Sequence, residues 1–188
     1  MAMIKRWLEN RKMTQIAHDL YCGLVEQSRE PVFYERFGVE DSLEGRLDLI
    51  LLHMFLTIQY LKNAKGQTQR LIQILQEVMI RDIDRSLREI GVGDMNVGKQ
   101  MKGVGASLLG RLKVYTDAMN DENPDVAFRG PIEKNIYRSE ADEETVIDEA
   151  DVSAIVSYVT KALSKEYMDK NIESYSTGNV DFPEIMEA

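Results

Sequence analysis

The segment from Leu49 to Leu61 runs for thirteen residues without a charged side chain. It is too short to cross a hydrocarbon layer of ~30 Å as a helix, so it has to be buried against protein. Leu43, Leu47, Ile50, Leu51, Met54, Ile58 and Leu61 recur at intervals of three and four, and Leu49, Leu52, Phe55 and Leu56 widen the stripe around much of the cylinder. A helix that is apolar on several sides needs neighbours on several sides. The pattern predicts a long apolar central helix. It opens at a capping box of Asp41 and Glu44, runs to about Lys62, and has Gly66 at or just past its end.

The neighbours carry the same periodicity. Ile16, Leu20 and Leu24 mark a helix from Thr14 to near Glu30, where Pro31 disfavours helix in the residue before it. Phe33, Tyr34 and Phe37 follow within five residues; core packing is the first expectation for them and a binding surface the second. Leu71, Ile72, Leu75, Met79, Ile83, Leu87 and Ile90 share one face of a helix over about 68–90. Gly91-Val92-Gly93-Asp94 then reads as a turn, with Gly91 as a left-handed cap. A third long helix is marked by Val97, Met101, Val104, Leu108, Leu112, Tyr115 and Met119. It contains Gly98, Gly103, Gly105 and Gly110, each costing about 1 kcal/mol relative to Ala, so a tightly packed helix pair is expected there ahead of a bound chain. Asn123-Pro124 starts another helix, which Pro131 soon interrupts. The acidic run from Glu140 to Asp151 leads into a last helix with Val152, Ile155, Val156, Val159, Leu163 and Tyr167.

No strand-like alternation and no repeat is present. The expected fold is all-α, one helical domain of about six or seven helices over 14–170. A basic amphipathic segment over 1–13 precedes it and a flexible tail over 171–188 follows. A chain of 188 residues can bury enough surface to fold without cross-links, and Cys22 stands alone, so no internal disulfide is expected.

The formal charge of -9 is unevenly placed. Residues 1–120 hold 17 Lys/Arg against 15 Asp/Glu, and residues 121–188 hold 6 against 17. A near-neutral body with an acidic end argues against specific nucleic-acid binding, which draws its affinity from phosphate neutralisation. Met3, Ile4, Trp7 and Leu8 fall on one helical face at the start, with Lys5, Arg6, Arg11 and Lys12 against Glu9. This is either a locally docked terminus or a contact for anionic lipid. No apolar signal region follows it, so the expected place is the cytoplasm, with peripheral membrane contact through the N-terminus as an option.

Motifs for chemistry fail one by one. Gly93-Asp94-Met95-Asn96-Val97-Gly98-Lys99-Gln100 has most of a phosphate-binding loop, but Gln100 stands where Ser or Thr holds Mg²⁺, and the motif follows a helix instead of a strand. His18 and His53 lack the Glu-x-x-His spacing of di-iron bundles, and with one cysteine a zinc site is not assembled. Ser107 lacks the second glycine of a nucleophile elbow. Beside Leu52 and Met54, His53 reads as a hydrogen-bonded core residue. No catalytic residue, metal or cofactor is expected.

What remains is a dense set of charges around the double-glycine turn: Arg81, Asp84, Arg85, Arg88, Glu89, Asp94, Lys99, Lys102 and Arg111. They form either a salt-bridge network locking two helices or a mixed-charge rim beside an apolar groove where a partner's helix docks.

Here the sequence resembles the ubiquinol–cytochrome c chaperone family, the assembly factors for cytochrome b of respiratory complex III, and looks like an alphaproteobacterial member. The matching stretches are Leu20-Tyr21, Gln27, Pro31, Phe33-Tyr34, Gly38-Val39, Asp41, Gly45-Arg46 and Leu52-His53. They continue with the long run Asp82 to Asp94, then Val97-Gly98-Lys99, Lys102, Gly110-Arg111 and Tyr115, so that about Leu20 to Tyr137 is covered. Gly103 and Gly105, where larger residues are expected, and the acidic run after Glu140 depart from the pattern.

The resemblance implies a non-enzymatic helical chaperone for newly synthesised cytochrome b; mitochondrial relatives act near the ribosome with a small partner subunit, and a ribosome or such a subunit is an optional partner here. It adds Phe33, Tyr34, Arg46, His53 and Tyr115 to the rim as candidate protein-binding residues. Adaptable methionines such as Met54, Met79, Met95, Met101 and Met119 suit such a surface, although most belong to an ordinary core. The alternative is a helical protein that binds a quinone, lipid or other small molecule in a pocket between the central and glycine-bearing helices.

Overall fold

Burial of the Leu49–Leu61 run dictates the arrangement. The structure, a computed structural model, describes residues 2–64, 68–137 and 147–184. In chain order these form α1 (Ala2–Ser28), α2 (Pro31–Glu35), α3 (Leu43–Asn63), α4 (Thr68–Glu89), α5 (Asp94–Met119), α6 (Pro124–Ala127), α7 (Arg129–Ile132), a π-helical turn (Glu133–Tyr137), α8 (Glu149–Leu163) and α9 (Lys165–Thr177). The fold is all-α: six helices of thirteen residues or more, joined by short ones, with no strand among the described residues.

From Leu51 to Leu61 every residue of α3 is buried, whichever side of the helix it occupies. α1, α4, α5, α8, α9 and the π-helical turn all pack on it. Leu20 and Leu24 come from α1, Leu75 and Met79 from α4, Tyr115 from α5, Ile155 and Val159 from α8 and Tyr175 from α9; each is at or near zero exposure. Aromatic pairs close the ends of this core, Phe55 with Tyr115 at 5.3 Å between centroids and Tyr60 with Tyr175 at 4.4 Å.

The helix is long and central but not apolar along its length. Its first turns carry Glu44, Arg46 and Asp48, its last carries Lys62, and no helix among the described residues is long and apolar enough to cross a membrane. His53, Thr57 and Tyr60 find hydrogen-bond partners inside the bundle, whereas Gln59 Nε2 is buried without one among the described residues. A backbone carbonyl can only accept, so His53 Nδ1–H donates to Leu49 O at 2.8 Å, which leaves Nε2 to accept the Tyr158 hydroxyl at 2.9 Å. Thr57 donates to His53 O at 2.8 Å, and the Tyr60 hydroxyl donates to Ala162 O at 2.9 Å.

Several expectations need correcting. The cap of α3 is Ser42, whose Oγ accepts the Gly45 N–H at 3.1 Å; Asp41 is engaged by Arg46 instead, at 2.6 Å. Ile90 leaves the apolar face of α4 and is 63% exposed. It does so because the chain is already turning at Gly91, which has the left-handed φ of +89° expected of it. The last helix is two helices, broken at Ser164, whose hydroxyl caps α9.

The boundary at residue 13 falls inside continuous α1, and that at 170 falls inside α9. The described part of the expected tail packs on the body. Tyr175 and Phe182 are buried, and Val180 approaches Gly23 so closely that a Cβ there would meet its Cγ2 at 2.9 Å. Gly66, the acidic residues 140–146 and the side chains of residues 2–6 lie outside the described residues.

Burial holds the His53 imidazole neutral, lowering its pKa from 6.5 to about 4. Between those values the unfolded chain takes up a proton and the folded one does not, so this group's contribution is lost as pH falls. The His53→Asn variant, which keeps a donor toward Leu49 O, is less stable at neutral pH but lacks that loss. In denaturant titrations the stability difference between the two proteins narrows by about 3 kcal/mol from pH 7 to pH 4.

Candidate protein-binding surface

The polar face of α4 is exposed and laddered. Arg81 pairs with Glu77 at 3.3 Å, Arg85 with Asp82 at 3.0 Å and Arg88 Nε with Asp84 at 2.8 Å. Arg88 also reaches across the Gly91–Gly93 turn to Asp94, the first residue of α5, so one guanidinium spans two helices. That guanidinium holds the Asp84 carboxyl below the usual carboxylate range. Asp82 accepts the Tyr21 hydroxyl at 2.9 Å, fastening the ladder to α1. Glu89 lies 3.7 Å from Arg85. Lys99 and Lys102 are exposed on α5 and have no ion pair among the described residues.

Beside these charges the corner exposes apolar surface. Ile90, Met95 and Leu109 are 63%, 93% and 68% exposed. Met95, Lys102 and Leu109 recur every seven residues and so share one side of α5. The α5 glycines are not explained by packing within the chain: a Cβ at Gly98, Gly103, Gly105 or Gly110 would meet nothing within 4 Å. The expected tight helix pair is therefore absent. In its place the outer side of α5 is open at these four positions, with Lys99, Lys102 and Leu109 exposed among them.

The remaining candidates separate from this surface. Phe33, His53 and Tyr115 are fully buried and belong to the core; the Phe33 ring packs edge-on at 5.5 Å against both His53 and Tyr158. Arg111 is interior too. It pairs with Asp48 of α3 and lies 3.4 Å from Asn135 O, with side-chain exposures of 13% for Arg111 and 21% for Asp48. Burial pushes the Asp48 carboxyl up to about 6 although Arg111 pulls the other way. Tyr34 and Arg46 lie elsewhere, in an open depression of about 610 Å³ shared with Arg29, Glu35 and Asp41. A second open depression, about 420 Å³, lies among Lys161, Glu166, Lys170 and Asp181. Charged residues line both, which does not favour a quinone or lipid. The loop-like stretch Gly93 to Gln100 is the start of α5 after a helix and a turn.

Sequence reasoning missed Asp48 and Tyr158. A lone acid next to the charge-free run is a legible sign of a buried partner, whereas nothing ties His53 to a tyrosine 105 residues away.

The sequence profile of the ubiquinol–cytochrome C chaperone family matches residues 35–165, well over half of the chain. The chain belongs to the ubiquinol–cytochrome c chaperone family. The match takes in α3, α4, the double-glycine turn and the whole of α5, and leaves all of α1 and all but the first residue of α9 outside. A crystal structure described as the Cbp3 homolog from Brucella abortus shares the fold, with a TM-score of 0.75 at 24% identity over 98% of each chain. No curated protein matches.

In this chaperone-family chain the two kinds of arginine are separable by mutation. Arg111→Ala leaves Asp48 partly buried and unpaired and lowers unfolding free energy by roughly 3 kcal/mol. Arg88→Ala removes only exposed pairs and leaves the melting temperature close to wild type. Thermal and denaturant unfolding of both variants check this.

Proposed function

We propose that the chain is an assembly chaperone that binds newly synthesised cytochrome b and supports assembly of the ubiquinol–cytochrome c reductase. The family match over residues 35–165 carries the reading. The α4–α5 corner supplies physical support. Nascent helices of a multi-span membrane protein expose apolar surface, and the exposed Ile90, Met95 and Leu109, with the open glycine positions on the outer side of α5, offer a place for such a helix to lie. The work is holding and releasing, without covalent chemistry. It takes place where the client emerges, beside the ribosome and at the membrane surface, with or without a small partner subunit.

Removing the gene from a cell that makes complex III abolishes accumulation of haem-loaded cytochrome b; normal accumulation overturns the reading. Lys99→Glu with Lys102→Glu weakens capture of nascent cytochrome b in a crosslinking assay while the melting temperature holds, because rim charges govern association more than fold. Equal losses of capture and stability assign these lysines to the fold instead.

A further inference from the structure

The first turns of α1 reach beyond the body. Residues 7–12 are all exposed, and α1 is first covered at Met13, Ile16 and Ala17, where it meets the core. On this projection Trp7 is 59% and Leu8 53% exposed, and the Arg11 guanidinium sits over the indole, 5.6 Å from the ring centroid. Arg11 and Lys12 have no ion pair among the described residues.

The charge distribution gives the projection a direction. Residues 1–13 hold four Lys/Arg against one Asp/Glu, a net +3, while the rest holds 19 against 31, a net -12. An anionic surface therefore attracts the tip of α1 and repels the remainder. A polyanion gripped along the body is disfavoured by the same arithmetic. Trp combines a large apolar ring with an N–H that prefers to stay hydrated, which suits the boundary between headgroups and acyl chains. Leu8 adds apolar area, and the basic residues meet the phosphates.

We propose that the exposed N-terminal turns of α1 dock on an anionic lipid bilayer through Trp7, Leu8, Arg11 and Lys12, holding the acidic body away from the membrane. This deepens the placement at a membrane surface but is independent of the client's identity, and its test contains no cytochrome b, so neither reading falls with the other.

Trp7 is the chain's single tryptophan, so the intact protein reports on its own tip. Vesicles of phosphatidylglycerol and phosphatidylcholine in equal parts shift Trp7 emission to the blue and shield it from a soluble quencher. Pure phosphatidylcholine vesicles do neither, and added salt reverses both effects. Arg11→Gln with Lys12→Gln lowers co-sedimentation with the anionic vesicles by about twenty-fivefold, at about fivefold per basic residue, with an unchanged melting temperature. No emission shift with anionic vesicles overturns the proposal. So does an equal shift with pure phosphatidylcholine, or a shift produced by ribosomes and not by vesicles, which makes the tip a macromolecular contact.

Discussion

Enclosing α3 on every side is the constraint from which the rest follows. A helix buried around its circumference from Leu51 to Leu61 offers no wet face, so its polar atoms depend on neighbouring groups for partners. His53 is answered by Tyr158 of α8, and Tyr60 by the Ala162 carbonyl at the end of the same helix. The C-terminal third is thereby held to the centre by hydrogen bonds as well as by packing. Phe182, beyond α9, closes on the His53 ring at 4.9 Å and finishes the enclosure. The net charge of that third looks like that of a solvated appendage, yet its apolar residues complete the core.

Local periodicity made the helices legible, because a 3.6-residue repeat of leucines and isoleucines has one good solution in a chain without strand signals. The α3, α4 and α5 segments and the Gly91 turn follow from it. Features set by one or two atoms were not legible. Ser42 caps α3 although Asp41 and Glu44 have the more familiar spacing, because Arg46 one turn later binds Asp41 in a bidentate grip. The split at Ser164 depends on a hydroxyl choosing the backbone N–H of Tyr167, a preference that Ser has at many positions where it is not expressed. Partners far apart in sequence, such as His53 with Tyr158, leave no trace in a single chain.

The candidate site was legible by half. The cluster of charges around the turn was found because it is dense, but density did not separate the exposed ladder of Arg81, Arg85 and Arg88 from Arg111, which is folded in against Asp48. The distinction lies in helix geometry. Arg111 shares the side of α5 that carries Val97, Val104, Leu108 and Tyr115, and that side faces α3 and α4. Lys99 and Lys102 lie on the opposite side. Phe33 and Tyr115 came in with matching stretches, and a match rewards core residues as readily as surface ones.

The glycines of α5 turn this division into an argument about the surface. In a helix whose glycines are not needed for packing, each one weakens the helix by about 1 kcal/mol relative to alanine. α5 persists because a single stripe, Val97 to Tyr115, is docked on the bundle. Its outer side therefore contributes little to its own stability and presents almost no side-chain relief at Gly103, Ala106 and Gly110. A face of this kind lets a neighbouring helix approach its backbone without either partner having to match a fixed set of protrusions. Under the function proposed above that tolerance is useful, since the segments such a chaperone would cover are apolar and differ from one another in shape.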